Sequence, residues 1–229
     1  MGILVKERDI VTPGETLAEG LDYLPGQGTY RKEERIISKL VGIVNIDKKI
    51  IKVTPLSGKY LPKKGDLVIA KVIDITLNGW RLDINSPYSA MMLAKEATTR
   101  MVRKGEDLSR ILDIGNYVLA KVKNVTSQNL VDLTMNEPEL KKLSEGLIIR
   151  ISPVKVPRVI GTRGSMVSMI KKETGCKIIV GQNGMVWIHG DEKGEVLAAN
   201  AIRRIEKEAH INGLTEKIKE MLEKAKSKE

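Results

Sequence analysis

The chain has 229 residues, of which 39 are basic and 29 acidic, so its formal net charge is +10. This length allows two or three small domains, each able to bury a core. Cys176 is the single cysteine, which excludes an internal disulfide and a multi-cysteine metal site. No stretch approaches the roughly 20 apolar residues of a membrane span, and the N-terminus lacks the pattern of a secretory signal. We therefore expect a cytoplasmic protein.

The positive charge is concentrated towards the two ends of the chain. The net charge is +4 for residues 1–64, zero for residues 65–137 and +5 for residues 138–210. A basic surplus suits a polyanionic partner such as a nucleic acid. Because many basic proteins bind no nucleic acid, charge alone supports this interpretation only weakly.

Residues 1–64 are predicted to form a small β domain with several tight turns and no long helix. Pro13-Gly14 and the loop at residues 25–30 interrupt the chain. The predicted strands are residues 3–5, 36–44 and 50–53, with a turn at residues 45–49. A domain of this kind is marginal alone, so we expect it to pack on its neighbours or on another protein.

Residues 65–137 are predicted to form a five-stranded barrel. A helical turn at residues 108–112 precedes the fourth strand. The predicted strands are residues 67–75, 80–84, 88–93, 117–125 and 130–134. Five strands with a helical turn before the fourth are typical of an OB-fold.

Two similar phrases occur within this segment, Val-Ile-Ala-Lys-Val at residues 68–72 and Val-Leu-Ala-Lys-Val at residues 118–122. One interpretation is an internal duplication. The other, which we favour, is that two long strands of one barrel face similar environments.

The barrel resembles the RNA-binding OB-folds named after ribosomal protein S-one, at Gly65-Asp66 and at Trp80 with Asp83. Such domains usually present aromatic side chains on which bases stack. This chain has no phenylalanine. The aromatic residues of the barrel are Trp80, Tyr88 and Tyr117. We therefore expect weak stacking, with RNA contact coming mainly from basic loop residues. The candidates are Arg100, Arg103 and Lys104, although solvated surface charge is an equally good interpretation of these three.

A glycine-bounded turn in the last third of the chain carries the most specific signal. Gly161-Thr162-Arg163-Gly164 lies between an apolar helix end and a second helix that stops at Gly175. Two glycines three apart let the backbone turn sharply and approach a sugar-phosphate chain, and a helix start can face an anion. This pattern is similar to the G-x-x-G loop with which KH domains hold single-stranded RNA.

The flanking residues extend the resemblance to a whole KH domain, an α/β sandwich, within residues 138–229. Strand-like runs at residues 176–180 and 185–188 are joined by Asn183-Gly184, a hairpin signal. A long helix capped by Asp191 follows, and residues 216–226 form a last helix with one apolar face. The resemblance implies these RNA-binding residues: Gly161, Thr162, Arg163, Gly164, Lys171 and Lys172.

The order of the three modules resembles the RNA-binding cap subunit of the archaeal exosome, over almost the whole sequence. The overall expectation is therefore a multidomain α+β protein. The motifs that carry the resemblance are Pro13-Gly14-Glu15, Gly28-Thr29-Tyr30, Tyr60-x-Pro62-x-x-Gly65-Asp66, Trp80-x-x-Asp83-Ile84-x-x-Pro87-Tyr88 and residues 153–161.

This resemblance implies a non-catalytic role with no cofactor, no metal and no catalytic residue. Three caps would sit on a hexameric ring of phosphorolytic RNase subunits, alone or mixed with a related cap subunit. They would capture single-stranded, often adenine-rich RNA and pass its 3′ end into the pore, with residues 1–64 contacting the ring. In such caps the third position of the loop is often Asn and the loop can pack between domains. Here it is Arg163, for which we favour contact with phosphate.

The sequence supports two other functions less well. An enzyme is disfavoured because His189 and His210, the two histidines, have no cysteine, nucleophile motif or second histidine at a suitable spacing. A free-standing RNA-binding protein, such as a translation or antitermination factor, also combines OB and KH modules. The N-terminal β domain distinguishes the cap, since it has no obvious RNA chemistry and suits protein docking.

Overall fold

The computed structural model describes residues 2–98, 100, 106–209 and 213–226. They divide into two units, Met1–Gly58 and Lys59–Glu229. The fold class is mixed α+β, as predicted, with strands in the first unit and a barrel followed by a KH domain in the second. None of the described helices is long and apolar enough to cross a membrane.

The first unit consists of two small sheets, and its described residues form no helix. Its strands are β1 (Ile10–Val11), β2 (Thr16–Glu19), β3 (Leu24–Pro25), β4 (Thr29–Lys32), β5 (Arg35–Ser38), β6 (Gly42–Asp47) and β7 (Ile50–Pro55). One sheet has the order β1-β6-β7-β3 and the other β2-β5-β4. Leu17, Ile36, Val44 and Ile51 are fully buried between them.

The predicted single strand at residues 36–44 is wrong, because the chain turns within it. Ser38 is buried, and its hydroxyl donates to the carbonyl of Leu40 at 2.8 Å and accepts from the Leu40 amide at 3.3 Å. Such side-chain bonds to the backbone compete with strand pairing. β5 and β6 therefore belong to different sheets. Of the predicted strand at residues 3–5, only one bridge, from Ile3 to Ala18, is present.

The second unit begins with the predicted five-stranded barrel. Its elements are β8 (Leu67–Thr76), β9 (Gly79–Asp83), β10 (Ala90–Leu93), α1 (Ala94–Ala97), a one-turn helix (Leu108–Arg110), β11 (Tyr117–Val125), β12 (Val131–Thr134) and β13 (Lys141–Leu143). The barrel closes because β12 pairs in parallel with β10 and antiparallel with β11. β13 extends the sheet beyond β11.

The two similar phrases lie side by side in this one barrel. Val118 is opposite Ala70, and Ala120 is opposite Val68, on the antiparallel strands β11 and β8. The residues share an environment because they are partners in one ladder. This arrangement agrees with the single-barrel interpretation, and the described residues form no second barrel.

The KH segment follows in the predicted order. Its elements are β14 (Leu147–Arg150), a one-turn helix (Pro153–Lys155), α2 (Val156–Ile160), a second one-turn helix (Thr162–Gly164), α3 (Ser165–Thr174), β15 (Lys177–Val180), β16 (Met185–His189), α4 (Glu192–Lys207) and α5 (Leu214–Lys226). The antiparallel sheet has the order β14-β16-β15. Asp191 is at the start of α4, but its side chain makes no capping hydrogen bond.

Both faces of the KH sheet are covered. Val186 and Ile188 of β16 pack against the helices of the KH segment, and α5 contributes Ile218 to the same cluster. The alternate residues of β16, Met185 and Trp187, pack against the barrel. Barrel residues in that second cluster include Ile69, Leu119, Leu140 and Leu143. The barrel and the KH segment therefore share a hydrophobic core.

A buried asparagine fastens the KH hairpin to the barrel. The Asn183 side chain is fully buried, and its amide donates to the carbonyls of Ile69 at 2.8 Å and Ile84 at 2.9 Å. Its Oδ1 accepts a longer bond, 3.4 Å, from the Ile69 amide. Its main-chain carbonyl accepts from Asn85 Nδ2 at 2.8 Å. Every side-chain polar atom of Asn183 is thus bonded to the barrel backbone.

Candidate nucleic-acid interface

The G-x-x-G turn joins α2 to α3, and its two glycines serve different purposes. Gly161 has φ 75° and ψ 174°, a region essentially restricted to glycine. A Cβ there would lie 2.7 Å from both the amide nitrogen and the Cβ of Met166. Gly164 is left-handed with φ 80°, but a Cβ would meet only Ser168 Oγ, at 4.0 Å. The close approach at Gly161 is therefore internal to the protein.

Thr162 and Arg163, the two middle residues of the turn, are exposed. The Thr162 carbonyl accepts from the Ser165 amide and so fixes the start of α3. The Arg163 side chain forms no hydrogen bond or ion pair with any other described residue. A guanidinium on a short glycine-bounded turn, with no partner among the described residues, is available to bind phosphate.

Lys171 and Lys172 lie on the same helix as the turn but not beside it. Both are exposed in the last turn of α3, which ends at the left-handed Gly175. At 1.5 Å per residue they lie roughly 9–11 Å along the axis from Ser165. Cations in the last turn also stabilise a helix through its dipole. Their position therefore fits a structural role as well as an RNA contact.

The predicted barrel cations are a separate group. Arg100 is exposed, but its guanidinium is ion-paired with the carboxylate of Glu106. Arg103 and Lys104 lie outside the described residues. Of the three basic residues predicted to bind RNA on the barrel, Arg100 is therefore the one within the described residues, and it already has an anionic partner.

The barrel offers less aromatic surface than its composition suggests. Trp80 is fully buried, and its indole nitrogen donates to the Leu112 carbonyl at 2.8 Å. It belongs to the core and cannot stack on a base, so its inclusion among the available aromatic residues is wrong. Tyr88 and Tyr117 are half-buried, and the Lys71 ammonium lies 5.8 Å from the Tyr117 ring centre.

Sequence reasoning missed a set of lysines on the outer surface of the barrel. Lys64, Lys95 and Lys123 line one cavity, although they are far apart in the sequence. The closure of the barrel through β10, β12 and β11 brings them together, and no local motif could have indicated it. Within the described residues, no group of three or more His, Cys, Asp or Glu side chains is placed to hold a metal ion.

Two family models match parts of the chain. The model for the KH domain matches residues 146–194. The model for the "Exosome complex exonuclease RRP4 N-terminal region" matches residues 10–47. The first covers the G-x-x-G turn and the hairpin that carries Asn183, and the second covers most of the first unit.

Curated proteins named exosome complex component Rrp4 match nearly the whole chain. The protein of Methanothermus fervidus is 46% identical over 96% of this chain and 97% of its own length. That of Thermofilum pendens is 46% identical over 96% and 95%. That of Pyrococcus abyssi is 43% identical over 96% of this chain and 84% of its own length.

A solved structure agrees with these matches. A crystal structure described provisionally as that of an exosome complex RNA-binding protein superimposes with a TM-score of 0.69. It is 34% identical and covers 74% of this chain and 98% of its own. Because relatives well above 30% identity span almost all of both sequences, the resemblance predicted from the motifs is confirmed. The chain belongs to the family of the exosome complex component Rrp4.

Proposed function

We propose that this chain is the non-catalytic, RNA-binding cap of a cytoplasmic exosome. It captures single-stranded, often adenine-rich RNA and guides the 3′ end into a hexameric ring of phosphorolytic RNase subunits for 3′-to-5′ degradation. Family membership supports the place in an exosome. The observation that carries the RNA-binding role is the exposed Arg163 guanidinium, which has no partner among the described residues and sits on the glycine-bounded turn.

The turn can be tested by charge reversal at its two middle positions. Gly161 is unsuitable, because any side chain there would overlap Met166. Thr162→Asp with Arg163→Asp changes the local charge by three units at exposed positions. Carboxylates there should repel phosphate, so we expect affinity for a fluorescent oligoadenylate to fall about tenfold or more in an anisotropy titration.

A matched control separates this local effect from overall charge. Thr215→Asp with Lys217→Asp makes the same charge change at exposed positions on α5. The control should bind RNA within about twofold of the unaltered chain, once both are measured at one salt concentration. Equal affinities for the turn variant and its control would remove the turn from the RNA site.

We propose that the first unit docks on the ring. It exposes several large apolar side chains, with Ile10 67% and Leu21 73% accessible, and these side chains are available to enter an interface with another protein. Nuclease-treated pull-down of the full chain should recover RNase-ring subunits. The variant with Ile10→Asp and Leu21→Asp should no longer recover them, while its affinity for RNA is unchanged.

A related cap subunit in the same complexes would support mixed caps. Recovery of ribosomes or RNA polymerase would instead indicate a free-standing RNA-binding protein.

A further inference from the structure

A cavity of about 500 Å³ opens on the outer surface of the barrel, across β10, β12 and β11. Met91 and Leu93 of β10 form its apolar wall, and they are 36% and 45% exposed. Leu133 of β12 also lines the cavity, but it is buried. Outward-facing residues of an antiparallel sheet are ordinarily polar where they meet water. Two exposed apolar side chains at alternate positions of one strand are therefore suited to contact with another molecule.

The turn between β8 and β9 enlarges this apolar area. The Ala94 amide donates to the Asn78 carbonyl at 2.8 Å, so the turn lies beside the end of β10. Leu93 and Gly79 are also partners in one ladder. Leu77, within the turn, is 99% exposed. Apolar side chains from two elements are thus open to solvent in one part of the barrel, which is typical of a protein interaction site.

The cations around the cavity differ in whether they are already paired. The Glu96 carboxylate is largely buried and bonds to the Lys123 ammonium at 2.5 Å. Lys123 is therefore occupied. Lys64 and Lys95 are exposed and form no salt bridge with another described residue. Lys95 acts on Glu96 only through longer-range attraction. Two ammonium groups are thus available to an acidic partner.

The cavity lining favours a peptide over a nucleic acid. None of the described residues that line it is aromatic, so a base would find no ring on which to stack. Asp132 is exposed at the rim and would repel a phosphate, whereas it can accept from a peptide amide. Three cations and two carboxylates leave an excess of one positive charge. These charged residues are Lys64, Lys95, Lys123, Glu96 and Asp132.

We propose that this part of the barrel docks a linear acidic segment of a partner protein. An apolar side chain of the segment packs against Met91 and Leu93, and flanking carboxylates pair with Lys64 and Lys95. We call the apolar residues Leu77, Met91 and Leu93, with Lys64 and Lys95, the β10 surface. The inference goes beyond RNA binding and does not depend on it. Residues 65–137 carry no net charge, which suits a short acidic segment better than a long polyanion.

A defined probe makes the proposal testable. The probe is a fluorescein-labelled decapeptide, Gly-Glu-Asp-Leu-Glu-Asp-Leu-Glu-Asp-Gly, titrated with the full chain in an anisotropy assay. One matched peptide replaces its acidic residues with the corresponding amides, and another replaces both leucines with serine. We expect both to bind about tenfold more weakly than the probe, because each lacks one of the two features that the surface recognises. Failure of the probe to bind, or equal binding by all three peptides, overturns the proposal.

Charge reversal locates the ion pairs on the protein. Lys64→Glu with Lys95→Glu should weaken binding of the probe about tenfold, because two attractions become repulsions. Lys217→Glu with Lys219→Glu makes the same charge change at exposed positions of α5 and should stay within about twofold of the unaltered chain. Circular dichroism melting confirms that each variant is folded. Equal affinities for the two variants would refute the assignment.

An uncharged change locates the apolar contact. Leu77→Ser with Leu93→Ser should weaken binding of the probe about fivefold, a modest loss of apolar contact. Ile73→Ser with Ile114→Ser is the control, because these residues are 41% and 60% exposed and lie outside the β10 surface. A loss as large in the control would show that the apolar contact is not at this surface.

Competition distinguishes a protein partner from RNA. Unlabelled decapeptide should displace the probe, and an oligoadenylate at the same concentration should displace much less. Equally effective displacement by the oligoadenylate would replace the acidic segment with RNA and overturn the proposal. Because the probe is a peptide, failure of the proposed RNA-binding function would leave these results unchanged, so the two proposals can fail separately.

Discussion

Replacing Asn183 with alanine should weaken the attachment of the KH hairpin to the barrel and lower the free energy of unfolding. Asn183 lies outside the G-x-x-G turn. The side chain donates two hydrogen bonds and accepts a third, all to barrel backbone and all buried. Alanine leaves those backbone groups without partners. At about 1–2 kcal/mol for each of these three buried groups, the expected loss is about 3–6 kcal/mol of unfolding free energy.

Tryptophan fluorescence during urea unfolding measures this loss selectively. Both tryptophans belong to the second unit, with Trp80 in the barrel core and Trp187 in the shared core. Their signal therefore reports the unit that Asn183 stabilises. For a unit of this size the loss corresponds to a fall in melting temperature of roughly 10 °C. Asn124→Ala, at an exposed barrel position, is the matched control and should change stability by less than about 0.5 kcal/mol.

A second variant tests whether the amide donors are responsible. Asn183→Asp preserves the shape but points a carboxylate at two carbonyl oxygens. Burial and that repulsion raise the pKa of the new carboxyl, so the deficit should be largest at neutral pH and shrink on acidification as the group becomes able to donate. The reasoning is refuted if Asn183→Ala lies within about 1 kcal/mol of the control, or if the deficit of Asn183→Asp does not change with pH.

Three further predictions concern local features. Gly161→Ala should cost about 3 kcal/mol in urea unfolding and Gly164→Ala about 1 kcal/mol, because overlap adds to backbone strain only at the first; equal losses would contradict this. Because the pKa of Glu96 is lowered from 4.5, this carboxylate stabilises the fold above that pH, and its contribution is lost as the pH falls through the folded-state pKa. The melting temperature of Glu96→Gln should therefore fall less between about pH 5 and pH 3 than that of the unaltered chain. Parallel plots of melting temperature against pH for the two proteins would argue against this role. Tyr60→Phe removes a 2.6 Å bond from the hydroxyl to the Asp66 carboxylate and should cost about 1.5–2 kcal/mol, whereas an unchanged urea midpoint would mean that the bond contributes nothing.

The barrel and the KH segment were predictable from the sequence because local patterns dominate there. Strand residues either alternate between apolar and polar or form a continuous apolar run. Glycines mark the turns, and the Asn183-Gly184 hairpin signal lies between two apolar runs. The run Met185-Val186-Trp187-Ile188 is apolar at every position, which is typical of a strand buried on both faces, whereas alternation indicates a strand buried on one face. All four residues are buried, as expected for a strand covered on both faces.

Other features depend on contacts between distant residues. Asn183 reads as a turn residue, and nothing beside it in the sequence indicates that its amide enters the barrel. The break at Ser38 was hidden because apolar residues continue on both sides of it. The sequence around Trp80 is equally compatible with a core residue and with a surface on which bases stack, and it is the closure of the barrel that buries this side chain. The lysines of the barrel cavity are assembled in the same way.

The sheet that is buried on both sides has a practical consequence for dissecting this chain. Residues 138–229, expressed alone, would present Met185 and Trp187 to water, together with the apolar residues around them on that face. Burial of such surface supplies much of the driving force for folding, and its exposure favours aggregation. The KH sequence is therefore not a portable module in this family member. A fragment intended to retain native RNA binding has to begin before the barrel.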